Sequence, residues 1–140
     1  MDWSVVPYMG VGRIMFGMTR DQIRKLLGSE VKEFKKTPTS KVLTDAFDQL
    51  GVHVYYKNDD TCEAIEMARP ANPKLNGSKI IGLPFFEVRE FMQKLDDSLE
   101  IDETGLISFK LGIGLFVPSL TEIQREIVES VIVFQRGYYD

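Results

Sequence analysis

Two stretches of this chain can be laid over one another, and that duplication limits the folds open to it more than any other feature. At an offset of 65 residues, Gly17, Met18, Gln22, Ile23, Arg24, Leu26 and Leu27 fall on Gly82, Leu83, Glu87, Val88, Arg89, Phe91 and Met92. At an offset of 61, Leu50-Gly51-Val52 falls on Leu111-Gly112-Ile113, and at 66, Glu63-Ala64-Ile65 falls on Glu129-Ser130-Val131. Loops of unequal length between shared elements produce such shifting offsets. A chance likeness between two similar halves is the alternative.

The elements inside each half follow from local chemistry. Thr19 suits a helix N-cap, because its hydroxyl can accept from an orphan backbone N–H, and Gln22 three residues on completes a capping box. Met18 and Ile23 fall at the staple positions. Ile23, Leu26 and Leu27 make a narrow apolar stripe over Arg20 to Leu27, and Gly28 is placed to end the helix in a left-handed conformation. Val31 to Phe34 is a weak strand, and Leu43 to Phe47 reads as strand or helix. Gly51 to Tyr56 alternates strongly at period two, and Cys62 to Ala68 reads as its return strand across an Asn58-Asp59-Asp60 turn. Residues 69–78, with two prolines and a glycine, read as a linker.

The second half opens with a helix from Pro84 to about Leu95, since proline is favoured at a first helical position. Val88, Phe91, Met92 and Leu95 share one face of it. Strands fit Gly105 to Lys110, Gly112 to Val117 and Val128 to Gln135. Ser119 and Glu122 form another capping box, placing a short helix or ordered loop over Leu120 to Ile127. The expected fold class is therefore α+β: two tandem helix-plus-antiparallel-sheet repeats forming one domain, with helices packed on one sheet face. Repeat 1 covers about residues 10–68 and repeat 2 about 79–137, within a single domain over 1–140.

The segment Phe16-Gly17-Met18-Thr19-Arg20-Asp21-Gln22-Ile23-Arg24-Lys25-Leu26-Leu27-Gly28 resembles the G-M-T-x-x-Q-V-x-x-L-x-G segment of the SmpA/OmlA (BamE-like) family. The tandem layout is similar to the repeat fold of the β-lactamase inhibitory protein. The resemblance implies a scaffold that binds proteins. A small acidic chain on such a scaffold is similar in profile to bacterial immunity proteins of toxin–immunity systems, such as contact-dependent inhibition, which cover a toxin's active site. The alternative is a non-enzymatic adaptor of BamE-like fold in another assembly.

Composition narrows the chemistry. One cysteine, Cys62, excludes an internal disulfide, and one histidine, His53, excludes paired-histidine metal sites. No cofactor or metal is expected. Nor is enzymatic activity, because any Ser-His-Asp arrangement must use His53 and no nucleophile is clearly poised beside it. Apolar stretches fall short of a membrane span, and Met1 to Ser4 does not open like a signal peptide, so a reduced, cytoplasmic setting is the expectation. Residues 1–41 carry eight basic and four acidic groups, whereas 42–140 carry nine basic and seventeen acidic. That excess argues against nucleic acid as partner and for a basic protein, such as a basic toxin domain.

The candidate contact residues are acids and tyrosines. Asp96, Asp97, Glu100, Asp102 and Glu103 lie within eight residues, and read either as a solvated loop or as a contact for partner lysines and arginines. Asp45, Asp48, Asp59 and Asp60 join them. Tyr55 and Tyr138 are candidate desolvated anchors, since tyrosine joins large contact area to a polar tip. Neighbours on a strand point to opposite faces, so at most one of Tyr55 and Tyr56 faces a partner from the sheet. An open edge strand leaves pairing with a second copy available.

Overall fold

The computed structural model describes residues 1–118 and 126–139. Its centre is an eight-stranded antiparallel sheet made of two four-stranded meanders. The first meander is β4 (Lys32–Lys35), β5 (Leu43–Phe47), β6 (Val52–Tyr56) and β7 (Cys62–Ala68). The second is β10 (Glu100–Asp102), β11 (Gly105–Ser108), β12 (Ile113–Phe116) and β13 (Ser130–Phe134). The order across the sheet is β10-β11-β12-β13-β7-β6-β5-β4, so the last strand of each meander meets the other at the centre. β1 (Val5–Val6), β2 (Gly10–Val11) and β3 (Ile14–Met15) form a small separate sheet, and β8 (Lys74–Leu75) pairs with β9 (Ser78–Lys79) at the end of the stretch read as a linker. Each meander is preceded by one helix, α1 (Arg20–Leu27) and α2 (Phe85–Gln93).

The expected α+β class is overturned. Of the described residues, 39% are strand and 13% helical, so the molecule is mostly β. The helices span only eight and nine residues and contribute Ile23, Leu27, Phe85, Val88 and Met92 to the main core. The rest of that core comes from strands and from N-terminal and connecting segments: Trp3, Val5, Val11, Ile14, Ala71, Leu75 and Ile80 lie in the same cluster. No helical layer of the expected kind backs the sheet. Two-residue strands carry no readable periodicity, so the sequence understates the β content.

α1 forms where its capping chemistry stands. The Thr19 hydroxyl accepts from the Gln22 N–H, the Gln22 side chain accepts from the Thr19 N–H, and Gly28 closes the helix at φ 57°. α2 lacks a side-chain cap: Pro84 is its N-cap rather than its first helical residue, and it ends at Gln93. The capping box at Ser119 and Glu122 falls outside the described residues.

Hydrogen bonds repeat between the halves at the sequence offsets. Gly17 N–H donates to Cys62 C=O and Gly82 N–H to Val128 C=O. Ala68 N–H donates to Gly51 C=O and Phe134 N–H to Gly112 C=O. Isolated bridges join Thr19 to Thr61 and Pro84 to Ile127. Gly51 and Gly112 turn their hairpins with φ of 72° and 70°.

The two sheet faces differ. Val52, Val54, Ile65, Met67, Val131, Val133, Ile113 and Leu115 share the main core with both helices. The other face carries a smaller cluster of Tyr55, Ala64, Ile132 and Phe134, to which neither helix contributes.

Candidate functional site

The helix-free face can be read row by row from the strand register. One row runs straight across it: Lys32, Ala46, His53, Glu66, Ile132, Gly114, Ile107, Glu100. The side chains in a row share a face because strand side chains alternate. The row is basic at one end and acidic at the other; between them His53 and Glu66 are polar and Ala46, Ile132, Gly114 and Ile107 are small or apolar.

Its polar part is tied together. Tyr55 donates its hydroxyl to Glu66 Oε1 at 2.8 Å. His53 stands between two carboxylates, with Nδ1 3.7 Å from Glu66 Oε1 and Nε2 3.7 Å from Asp48 Oδ1. Its ring meets Phe34 edge-on at 5.1 Å. His53, Glu66 and Asp48 border a hollow of about 300 Å³ that Ser130 also lines. No hydrogen bond joins Ser130 to His53, so the hollow holds no assembled nucleophile–base pair. Among the described residues no three His, Cys, Asp or Glu side chains converge as metal ligands.

Aromatic side chains occupy the adjoining end of this face. Phe134 lies at their centre, with ring centroids 6.1 Å from Tyr8, 6.2 Å from Phe109, 6.0 Å from Tyr138 and 4.9 Å from Tyr139. Lys36 sits over the rings of Tyr55 and Tyr138 at 4.5 and 4.8 Å and donates to the Tyr138 hydroxyl; Arg136 covers Tyr8 at 4.1 Å. Phe109 and Tyr139 stay 44% and 47% exposed, so the cluster presents ring surface to solvent. Burial pushes the Tyr138 hydroxyl up to about 12, helped by the nearby charges of Glu63 and Glu66, so it stays a neutral hydrogen-bonding group.

No protein-family model, no curated protein and no solved structure matches this chain.

The acids singled out in the sequence divide by half. Asp45 is wholly buried rather than a surface contact: it lies on the core face of β5 and accepts from Arg20, Arg24 and the Tyr56 hydroxyl. Asp60 pairs with Arg20 at 3.1 Å. Asp48 faces His53 and Lys32, and Asp59 accepts from Thr61 in the β6–β7 turn. Asp96 is also buried, which opposes its charge. Hydrogen bonds from Ser108 Oγ and the Ser98 N–H outweigh that and hold its carboxyl below the usual carboxylate range. Asp97, Glu100, Asp102 and Glu103 are exposed and form no ion pair among the described residues. Asp102 is steadied by accepting from the Thr104 N–H and hydroxyl.

Tyr55 and Tyr138 do lie on the helix-free face, while Tyr56 turns into the core beneath Arg20, 4.1 Å from its ring. The sequence reading missed Arg20 and Arg24 as partners of Asp45. Their signal was present: two arginines one turn apart beside the stripe of Ile23 and Leu27. It also missed Glu66, Lys36, Phe109 and Phe134, which only the strand register brings together.

Proposed function

We propose that this chain is a non-enzymatic, protein-binding inhibitor that neutralises a basic partner by covering its active site, as an immunity protein covers a toxin. The observation that carries this reading is the distribution of charge over the helix-free face. In the first half Asp45 and Asp60 are paired with arginines and Asp48 lies near Lys32 and His53, which leaves Asp59 alone of those candidates without a cation among the described residues. At the β10–β11 end, Asp97, Glu100, Asp102 and Glu103 stand exposed without a cation among the described residues, beside a face already lined with Phe116, Phe134, Tyr138 and Tyr139. Unpaired carboxylates attract a basic surface over distance, and rings beside them supply contact area that loses little entropy on ordering. The acids steer and the aromatics anchor.

The test takes the protein captured from cells by the tagged chain and measures that protein's own activity with and without stoichiometric chain. The reading expects the activity to be suppressed. It also expects Glu100→Gln with Glu103→Gln to slow association and to flatten its dependence on ionic strength. Undiminished activity of every captured protein at saturating chain overturns it.

A further inference from the structure

We propose that two copies of this chain join head to tail through the outer edges of their sheets, β4 of one copy lying beside β10 of the next. This goes beyond the partner reading above and does not depend on it. Among the described residues β4 and β10 are the outermost strands of the sheet, each paired on one side only. They are also counterparts. Lys32 lies opposite Ala46 and Glu100 opposite Ile107, and those two partners are themselves 61 positions apart. At this equivalent position one edge carries a lysine and the other a glutamate.

The neighbouring side chains strengthen the contrast. β4 exposes Lys32 and Lys35; its one acid, Glu33, is engaged by Arg24 at 3.2 Å, and Lys32 lies 3.9 Å from Asp48 with most of its side chain still exposed. β10 exposes Glu100 and Asp102, followed by Glu103, with no basic residue. Pairing two β10 edges sets carboxylates against carboxylates, and pairing two β4 edges sets ammonium groups against ammonium groups. Both are destabilising, so the charges that keep like edges apart leave the unlike pair as the favoured one.

Direction and face also agree. All seven pairings in the sheet are antiparallel, so the first and eighth strands run in opposite directions. A copy displaced sideways, without being turned over, therefore lays β4 antiparallel beside β10. Lys32 and Glu100 end the same row on the same face, so Lys32 of the next copy continues the row beyond Glu100 as an opposite-charge cross-strand pair. The molecule already contains a pairing of this kind. β7 and β13 are counterparts from the two halves, joined antiparallel with Glu66 opposite its equivalent, Ile132.

The contact is short, three residues against four, so association is weak and sensitive to salt. It leaves a free edge at each end, so copies add without closing.

Sedimentation velocity of the full chain, up to about 1 mM at low and high ionic strength, tests this. The average mass is expected to rise with concentration at low salt and to fall back to the monomer at high salt. Lys32→Glu with Lys35→Glu makes both edges acidic. Glu100→Lys with Glu103→Lys reverses the acidic edge and spares the Asp102 turn. Each pair alone is expected to weaken self-association at least about tenfold, the equivalent of about 1.4 kcal/mol, and a mixture of the two is expected to associate again. A monomer under every condition overturns the proposal. So does an assembly that neither pair of substitutions weakens, or a dimer that grows no further.

Discussion

Arg24 holds Asp45 side-on: its Nε donates to Oδ2 at 2.8 Å and its Nη2 to Oδ1 at 2.6 Å, while the Asp45 side chain has no exposed surface. Arg20 adds a third bond at 2.8 Å and the Tyr56 hydroxyl a fourth at 3.0 Å. Removing Asp45 leaves Arg20 and Arg24 with only their exposed partners Asp60 and Glu33, and takes from the Tyr56 hydroxyl its buried acceptor. Asp45→Ala is therefore expected to cost about 3–5 kcal/mol in urea unfolding. A loss no larger than that of an exposed acid such as Glu103→Ala would show that the arginines escape to water.

The Cys62 thiol is fully buried, and that burial pushes it up to about 12; Glu63 adds to the rise, and the contact with the Ala64 carbonyl works against it. A neutral, inaccessible thiol is inert. In the native protein at pH 8 it is expected to react with a disulfide reagent only as fast as the molecule opens, and at once in denaturant. Rapid labelling of the folded chain would place Cys62 near the surface.

Burial raises the phenols of Tyr55 and Tyr56 above the usual range, reinforced by Glu66 for Tyr55 and Asp45 for Tyr56, and lifts Tyr138 to about 12. A folded-state value above the unfolded one makes a contribution to stability that is complete below the ordinary tyrosine value, near pH 10. It is lost as pH rises through about 12. Absorbance at 295 nm should therefore show a far smaller change at pH 10.5 in the native protein than in denaturant. Full ionisation there with the fold intact would contradict these surroundings.

Gly51 and Gly112 occupy equivalent turns but not equivalent space. A Cβ at Gly51 would stand 2.2 Å from the Ala68 carbonyl oxygen, whereas at Gly112 the nearest atom, the Phe134 carbonyl oxygen, is at 2.9 Å. Left-handed φ alone costs a side-chain-bearing residue about 1–2 kcal/mol. Both alanine variants should be destabilised in thermal unfolding, Gly51→Ala more than Gly112→Ala. The reverse order would mean that the Gly51 turn relaxes more easily than its twin.

Sequence reading recovered what is fixed within a few residues. Thr19, Gln22 and Gly28 bound α1 because capping is local chemistry. Cys62 to Ala68 is a strand along the stretch read, because its alternation faces a core on one side. The helices were given too much weight: a stripe of Ile23 and Leu27 signals a helix but says nothing of how little it contributes to the whole. Glu100-Ile101-Asp102 reads as a solvated loop or a partner contact but not as a strand, since three residues show charge more clearly than alternation. Asp45 misled for a related reason. An acid on a strand is ordinarily exposed, and only the folded register sets it under Arg20 and Arg24. Lys32 and Glu100, 68 positions apart, become two ends of one row through eight strands that no local pattern connects.

The seam between β7 and β13 has a consequence for synthesis. The ribosome makes the first meander in full, yet its innermost strand, β7, waits for a neighbour that is translated only after the other seven strands of the sheet. Until Ser130 to Phe134 has emerged, β7 and β12 both present bare apolar edges, and the nascent chain passes through a stage in which its future centre is its most adhesive margin. A tag or translational pause that delays residues 130–134 should lower soluble yield more than the same delay within the first meander.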